Sequence, residues 1–364
     1  MTNSYLSTLV YRQAEKYHDR VALKYRDYTT GSWIPVTWNQ FAMKVKRVSN
    51  SLVALGVKVQ ENIGVFSQNM PECLYVDFGA FGSRVVSIPL YATSSEAQVH
   101  YILEDASIRY LFVGEQYQYD VAFRVQNLCK TLKQIIIFDP KVEKAASDTN
   151  SVYFDDFLAK GAGGSFQQEV DKRMAESESR DLANILYTSG TTGDSKGVML
   201  HHSCYEAAFE ANGRRLVRLN ESDVVMNFLP FTHIFERAWT YFCINRGCLL
   251  CINLRPQDIQ KTIKEVRPSA MCSVPRFWEK VYAGVLEKIN EASGLKKSLM
   301  LDALAVGKEH NITYLMNGLT PPMMLRMKYR FYEKTIFSLL KKIIGIENGN
   351  FFPTAGAAVP PAVG

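Results

Sequence analysis

Short, mostly apolar runs alternate with segments of helical spacing along the first 140 residues. The strand-like runs are 63–66, 85–90, 110–114 and 135–139. Between them, apolar residues recur every three or four positions, which is typical of helices that bury one face. The predicted helices are 72–84, 94–106 and 116–132, the second with Ser94 as its N-cap. Apolar strands that alternate with helices predict a parallel sheet covered on both faces.

A polar stretch at 140–180 interrupts this alternation, which then resumes. Its serine, glycine and charged residues are typical of a connection between subdomains. Further strands are predicted at 183–188, 224–229, 248–253 and 270–274, with helices between them. Residues 276–345 carry helical spacing almost throughout, and 351–364 begins like a strand. The pattern therefore predicts an α/β chain with two subdomains, 1–180 and 181–364, the second with a helical insert.

The composition adds the class of protein to this picture. The chain has 364 residues, 47% hydrophobic and 21% charged, which is typical of a soluble globular protein with one large or two medium domains. Its net charge of +6 is mild for this length, so it suits anionic substrates or a loose membrane contact and does not indicate a nucleic-acid binder. No signal peptide and no run of about 18 apolar residues is found, which predicts a cytoplasmic location. The sequence leaves the oligomeric state open.

The cysteines predict a reducing compartment. Their number, seven, is odd, and most of them lie in apolar runs. Cys248 and Cys251 have the spacing of a CxxC motif, but no second pair or histidine cluster completes a metal or redox site. We therefore interpret both as buried thiols in a strand.

The most distinctive stretch is YTSGTTGDSKGVML at 187–200. A glycine-rich turn after a strand gathers backbone N–H groups into a nest that binds anions, hydroxyls add donors and can ligate a metal, and lysine adds positive charge. The Walker A pattern requires a second glycine before its lysine, where this chain has Ser195. The stretch is therefore not an ordinary P-loop, and it is too rich in hydroxyls and glycines for a simple polar turn.

The stretch resembles the signature loop of the adenylate-forming enzymes, which include acyl-CoA synthetases, luciferases and nonribosomal adenylation domains. That loop reads [YF]-T-S-G-[TS]-T-G-x-P-K-G, and the chain matches it from Tyr187 to Gly197 except that Ser195 replaces proline. The resemblance implies two stacked α/β subdomains with mainly parallel sheets covered by helices, as in the large N-terminal domain of that family.

Further stretches are similar to the long-chain fatty acid–CoA ligase branch. FLPFTHIFERAW at 228–239 resembles its L-P-x-x-H-x-F-E-R motif, and SVPRFWEK at 273–280 resembles V-P-R-x-[WF]-E-K. Residues 354–364 resemble the S-G-G-A-x-[LV] segment, with Ala355 in place of its first glycine. The run 62–93 is similar to the family's first core region, with N-x-P-E and P-L-Y-x-T elements.

The resemblance implies a two-step reaction. A fatty carboxylate attacks the α-phosphate of ATP to give an acyl-adenylate and pyrophosphate, and the thiol of coenzyme A then displaces AMP. His233 and Lys196 are implied as catalytic residues, the first orienting the carboxylate and the second neutralising phosphates. His233 and Arg237 are also implied on the fatty-acid side, although Arg237 could instead pair with Glu236 and His233 could simply begin a helix. The implied nucleotide-binding residues are Thr188, also a Mg²⁺ ligand, Ser189, Gly190, Thr191, Thr192, Gly193, Lys196, Gly356 and Ala357.

The resemblance also implies that this chain is the N-terminal part of a ligase. The family's Y-G-x-T-E motif, its ribose-binding aspartate, its hinge and its small C-terminal domain with a catalytic lysine would follow residue 364. We therefore expect weak nucleotide binding at most and little turnover by this chain alone. Two alternatives stay open. The first is a fatty acyl-AMP ligase, which passes its product to a carrier protein, or another carboxylate-adenylating enzyme. The second is a non-catalytic module that binds nucleotide or lipid.

Overall fold

The computed structural model describes residues 5–188, 195–216 and 218–357. The strands are β1 Val21–Arg26, β2 Trp33–Thr37, β3 Asn62–Phe66, β4 Val86–Leu90, β5 Tyr110–Val113, β6 Gln134–Ile137, β7 Val152–Tyr153, β8 Leu182–Thr188, β9 Lys196–His201, β10 Val224–Asn227 and β11 Leu249–Ile252. The helices are α1 Tyr5–Tyr17, α2 Trp38–Ala54, α3 Pro71–Gly82, α4 Glu96–Asp105, α5 Gln116–Gln126, α6 Phe154–Lys160, α7 Gln167–Ala175, α8 His202–Arg215, α9 Ile234–Arg246, α10 Ile259–Val266, α11 Pro275–Glu291, α12 Gly294–Lys308, α13 Met323–Tyr332 and α14 Ser338–Ile344. These residues form two units: one up to Ser222 together with Asn227–Pro256, and one of Asp223–Met226 together with the residues from Gln257 onward.

A seven-stranded sheet organises the first unit, in the order β7-β6-β5-β3-β4-β8-β9. Its first six strands are parallel, and only β9 is antiparallel to its neighbour β8. All residues of the central strands β4 and β5 are buried, as expected where helices cover both faces of a parallel sheet. On one face, α4 and α5 pack their apolar residues into the core that these strands form. The prediction of a mainly parallel, helix-covered sheet is confirmed.

Strands β1 and β2 were not predicted from the sequence. In the first unit β1 runs parallel to β11 and antiparallel to β2. Only part of each strand is buried, and β2 contains Pro35, so neither gives the continuous apolar run that reveals a central strand. Cys248 comes directly before β11 and Cys251 lies within it. Both are buried free thiols, as predicted.

The predicted connection at 140–180 contains more regular structure than expected. It includes β7, α6 and α7, and β8 then returns to pair with β4, with Ser87 opposite Asn184. The first unit therefore continues through the predicted boundary between 180 and 181, because β8 and β9 extend the sheet that began at β3. Two predicted helices have different bounds in the structure. Ser95, not Ser94, caps α4 by accepting a hydrogen bond from the Gln98 N–H. The helix predicted at 116–132 is α5, which ends at Gln126.

The second unit is mainly helical, as predicted for residues 276–345. The predicted strand at 270–274 forms single parallel pairings instead, of Ala270 with Val225 and Phe351 and of Ser273 with Thr354. A small apolar cluster holds α12 against α13; it consists of Ala303, Val306, Leu325 and Tyr332. Within the part of the chain that the structure describes, no helix combines the length and the apolar character needed to cross a bilayer.

Candidate functional site

The glycine- and hydroxyl-rich stretch joins two antiparallel strands. In the register of β8 and β9, Thr188 lies opposite Lys196 and Tyr187 lies opposite Gly197. A Walker A loop leads into a helix instead, so the strand that follows agrees with the failed Walker pattern. A Cβ atom at Gly197 would lie 2.7 Å from Ile185 Cγ2, which explains glycine at this close approach to β8.

Thr188 and Lys196 are suited to binding an anion. Both side chains are exposed, and no ion pair of Lys196 is found among the described residues. Their opposite positions place a hydroxyl and an ammonium group at the two ends of the connecting stretch, where phosphate oxygens can accept from both. The remaining predicted phosphate-binding residues lie outside the described part of the chain; they are Ser189, Gly190, Thr191, Thr192 and Gly193.

Buried polar contacts fix the strand that leads into this stretch. The Tyr187 hydroxyl donates a hydrogen bond of 2.5 Å to Asp105, the last residue of α4. Burial is the main cause that raises the pKa of Tyr187, and the hydrogen bond to Asp105 raises this pKa further. The Asn184 side chain donates to the Ser87 carbonyl oxygen at 2.8 Å and accepts from the Tyr205 hydroxyl at 2.9 Å. Thr188 therefore lies at the end of a strand, β8, whose side chains are hydrogen-bonded to β4, α4 and α8.

His233 lies at the N-terminus of α9 with an exposed ring. The Tyr91 hydroxyl is 3.4 Å from the His233 ring nitrogens, and the two rings meet edge to face with centroids 5.3 Å apart. Tyr91 belongs to the P-L-Y-x-T element of the first core region, so the fold brings two of the motifs together. Sequence reasoning assigned Tyr91 no role, although its place in that element was a usable signal.

Asn69 holds the segment before His233 in place. Its side chain donates to the Leu229 carbonyl oxygen at 2.8 Å and accepts from the Phe231 N–H at 2.9 Å. Asn69 is the asparagine of the N-x-P-E element, and sequence reasoning had assigned it no function. This two-sided contact ties the start of α9 to the start of α3.

Arg237 is buried beneath His233, with only 2% of its side chain exposed. It donates to Asp77 at 2.5 Å, to the Tyr241 hydroxyl at 2.6 Å and to the Phe231 carbonyl oxygen at 2.7 Å. Burial alone would lower the pKa of the guanidinium, but the Asp77 charge raises it, so Arg237 stays charged.

The expected alternative pair of Glu236 and Arg237 does not form. Glu236 instead accepts from the Asn227 side chain at 2.7 Å. Asp77 receives a second and third hydrogen bond, from the Tyr241 hydroxyl at 2.7 Å and from Ser87 at 2.7 Å. Nothing in the sequence pattern pointed to Asp77 as the partner of Arg237.

Glu72, next to Pro71 in the N-x-P-E element, is expected to make stability depend on pH. Its Oε2 is buried without a hydrogen-bond partner among the described residues, and burial raises the pKa of the carboxyl from 4.5 to about 7. The folded state then binds more protons than the unfolded state between these values, so stability falls as pH rises from about 4.5 to 7. Glu72→Gln is expected to stabilise the chain at pH 8 by on the order of 2 kcal/mol and to change little at pH 4, as measured by urea denaturation. The same exchange at the exposed Glu15 is the control, and an equal gain at both pH values would contradict the burial argument.

Gly356 and Ala357 lie near the end of the described part of the second unit, and both are exposed. Gly356 has φ of +97°, a backbone conformation that favours glycine. The segment before them is tied to the start of α11, because the Trp278 indole N–H lies within hydrogen-bond distance of Thr354 Oγ1 at 3.0 Å and of Ser273 Oγ at 2.8 Å. The 273–280 and 354–357 motifs are thus held together within the second unit.

A family model described as AMP-binding enzyme matches residues 10–363. The chain belongs to the AMP-binding enzyme family. The family membership that the motif at 187–197 implied is confirmed, and ATP use is a property of this family of ligases.

Two curated relatives of this chain have long-chain ligase names. Long-chain-fatty-acid–CoA ligase ACSBG2 of Xenopus laevis is 27% identical over 340 residues, which cover 91% of the chain and 45% of the relative. Long chain acyl-CoA synthetase 4 of Arabidopsis thaliana is 27% identical over 363 residues, which cover 96% of the chain and 52% of the relative. The chain therefore spans about half the length of the curated relatives it matches.

The fold of this chain is also found among solved structures. The anthranilate CoA ligase AuaEII, in complex with anthranoyl-AMP, superimposes with a TM-score of 0.67 and 20% identity. The match covers 77% of this chain and 51% of that one. The predicted fold class is thereby confirmed.

Proposed function

We propose that this chain takes part in the ATP-dependent activation of a long-chain fatty acid, first to an acyl-adenylate and then to a thioester of coenzyme A. The observation that carries the proposal is the exposed Lys196 opposite Thr188, at the two ends of the family's signature stretch. The names of the relatives favour a long-chain fatty acid over other carboxylates.

The nucleotide-binding residues would act by holding phosphate charge. Adenylation concentrates negative charge on the phosphates, so donors and a cation fixed in advance stabilise the transition state. We assign this role to Thr188, to Lys196 and to the stretch between them. The Thr188 hydroxyl would supply one oxygen ligand to Mg²⁺, which when bound neutralises phosphate charge. Gly356 and Ala357 are proposed to present backbone to the adenine and the acyl group.

We assign His233 to orient the carboxylate, and Tyr91 to hold the His233 ring by its edge. Arg237 is a positioning residue in this scheme: its Nε donates to Phe231 and its Nη1 to Asp77 and Tyr241, so it acts by fixing the start of α9. A fixed ring reduces the conformational freedom that must be lost when the carboxylate reaches the α-phosphate.

Acyl-adenylate analogues test the proposal without requiring turnover. Non-hydrolysable acyl-sulfamoyl-adenosines with octanoyl, dodecanoyl and palmitoyl chains are titrated into the 364-residue chain by calorimetry. Affinity is expected to rise by up to about fourfold for each CH₂ that becomes buried, because each contributes about 0.8 kcal/mol. The palmitoyl analogue should also bind more tightly than AMP, since it contains the acyl chain as well as the adenosine moiety.

Other outcomes identify the competing functions. Tightest binding of a benzoyl or acetyl analogue would replace the fatty acid with another carboxylate. Palmitate binding that is insensitive to the adenosine moiety, or ATP binding without any affinity for the analogues, would indicate a non-catalytic module. A release assay that offers coenzyme A against a carrier protein separates the two acyl acceptors.

A further inference from the structure

Three side chains of the kinds that ligate transition metals meet beside α4, and the proposed reaction uses none of them. They are His100 and Glu104 of α4 and Cys129, three residues beyond the end of α5. One ligand atom from each lies within 4.8 Å of the other two. The spacing of four residues places His100 and Glu104 on the same face of the helix. The cluster therefore joins two elements that pack on the same side of the sheet.

One polar atom of His100 and one of Glu104 make hydrogen bonds to the backbone, which leaves the second polar atom of each side chain for a metal. Nε2 of His100 lies 3.3 Å from the Leu128 carbonyl oxygen, so an N–H there can donate and the lone pair of Nδ1 stays available. Metal-bound histidines typically donate their other ring N–H in this way. One carboxylate oxygen of Glu104 accepts from the Lys130 N–H at 2.7 Å, which leaves its second oxygen for a ligand.

Cys129 is the buried member of the cluster. Only 8% of the residue is exposed, and no hydrogen bond of its Sγ is found within the described residues.

We propose that His100, Glu104 and Cys129 bind a thiophilic divalent cation of the Zn²⁺ class, with water as a fourth ligand. One nitrogen, one oxygen and one sulfur are the ligand types that Zn²⁺ takes in tetrahedral sites. Bond lengths of about 2.0–2.3 Å require ligand atoms roughly 3–4 Å apart, so side-chain rotations close the present arrangement. On binding, the S–H bond of Cys129 breaks, the sulfur–metal bond forms and the proton passes to solvent. The ion would clip α4 to the segment between α5 and β6.

Cobalt is the probe for this site, because tetrahedral Co²⁺ absorbs visible light and a Co²⁺–thiolate bond adds a charge-transfer band in the near ultraviolet. Titration of the chain with Co²⁺ is expected to give both bands at one equivalent, and Zn²⁺ should displace them. His100→Gln and Cys129→Ser are each expected to weaken binding at least about tenfold, and Cys129→Ser should remove the charge-transfer band.

Cys204 provides the matched control. It is an exposed free cysteine of α8 and follows His201 and His202 closely in the sequence, so it would account for adventitious cobalt binding. Cys204→Ser is expected to leave the spectrum unchanged. Loss of the bands in that variant, or their survival in Cys129→Ser, would overturn the proposal. If Cys129→Ser lowers the folding yield, His100→Gln is the deciding variant, because the His100 side chain is only partly buried. Unchanged cobalt affinity in His100→Gln would also exclude the site.

Discussion

Replacing Arg237 with alanine is expected to lower the free energy of unfolding by about 3–5 kcal/mol. The substitution leaves the Asp77 carboxylate buried without its counter-charge, since Tyr241 and Ser87 can only donate neutral hydrogen bonds to it. It also removes the donor to the Phe231 carbonyl oxygen, which is part of the segment leading to His233. Urea denaturation of the purified chain measures the change.

The exposed pair of Arg124 and Glu96 is the control, because their side chains are 51% and 53% exposed. Arg124→Ala is expected to cost less than about 1 kcal/mol, as surface ion pairs do. Asp77→Asn should also destabilise the chain, but the double variant Asp77→Asn with Arg237→Ala is expected to lose less than the sum of the two single variants. A loss in Arg237→Ala no larger than in Arg124→Ala would show that the buried charge is compensated elsewhere.

The same network shows where sequence reasoning stops. Local periodicity was enough to place β3 to β6 and the helices between them, because each of those strands is mostly apolar and mostly buried. It could not show that Asp77 and Arg237, 160 positions apart, would share one buried contact. A single sequence records which residues are polar but not which distant residue compensates a buried charge.

The strands around the signature stretch illustrate a related limit. The strand β8 was predicted, but β9 was not, and the chain was divided near residue 180 instead of being continued into the same sheet. β9 is mostly exposed, so it lacks the apolar run that identifies a central strand. It is recognised only by its pairing with β8, which also sets Lys196 opposite Thr188. The motif named these residues, and only the register showed that they face each other.

Lys196→Ala is expected to weaken ATP binding roughly 10- to 150-fold while leaving AMP binding unchanged. A charge-assisted hydrogen bond contributes about 1.5–3 kcal/mol, and on the proposed function Lys196 contacts only the β- and γ-phosphates. AMP lacks those phosphates, so the ratio of the two affinities isolates the contact from any general damage to the nucleotide site. Isothermal titration of both nucleotides with Mg²⁺ present gives this ratio.

Lys172→Ala removes the same charge from an exposed lysine near the end of α7 and is the matched control. It should shift the ATP affinity only by the small screened effect of one surface charge. Equal loss of ATP and AMP affinity in Lys196→Ala would mean that Lys196 supports the strand pairing rather than the phosphates, because Thr188 lies directly across from it. Unchanged affinity for both nucleotides would remove Lys196 from the binding site. Selective loss of ATP binding is the only outcome in which the ammonium group acts on the phosphates that adenylation releases.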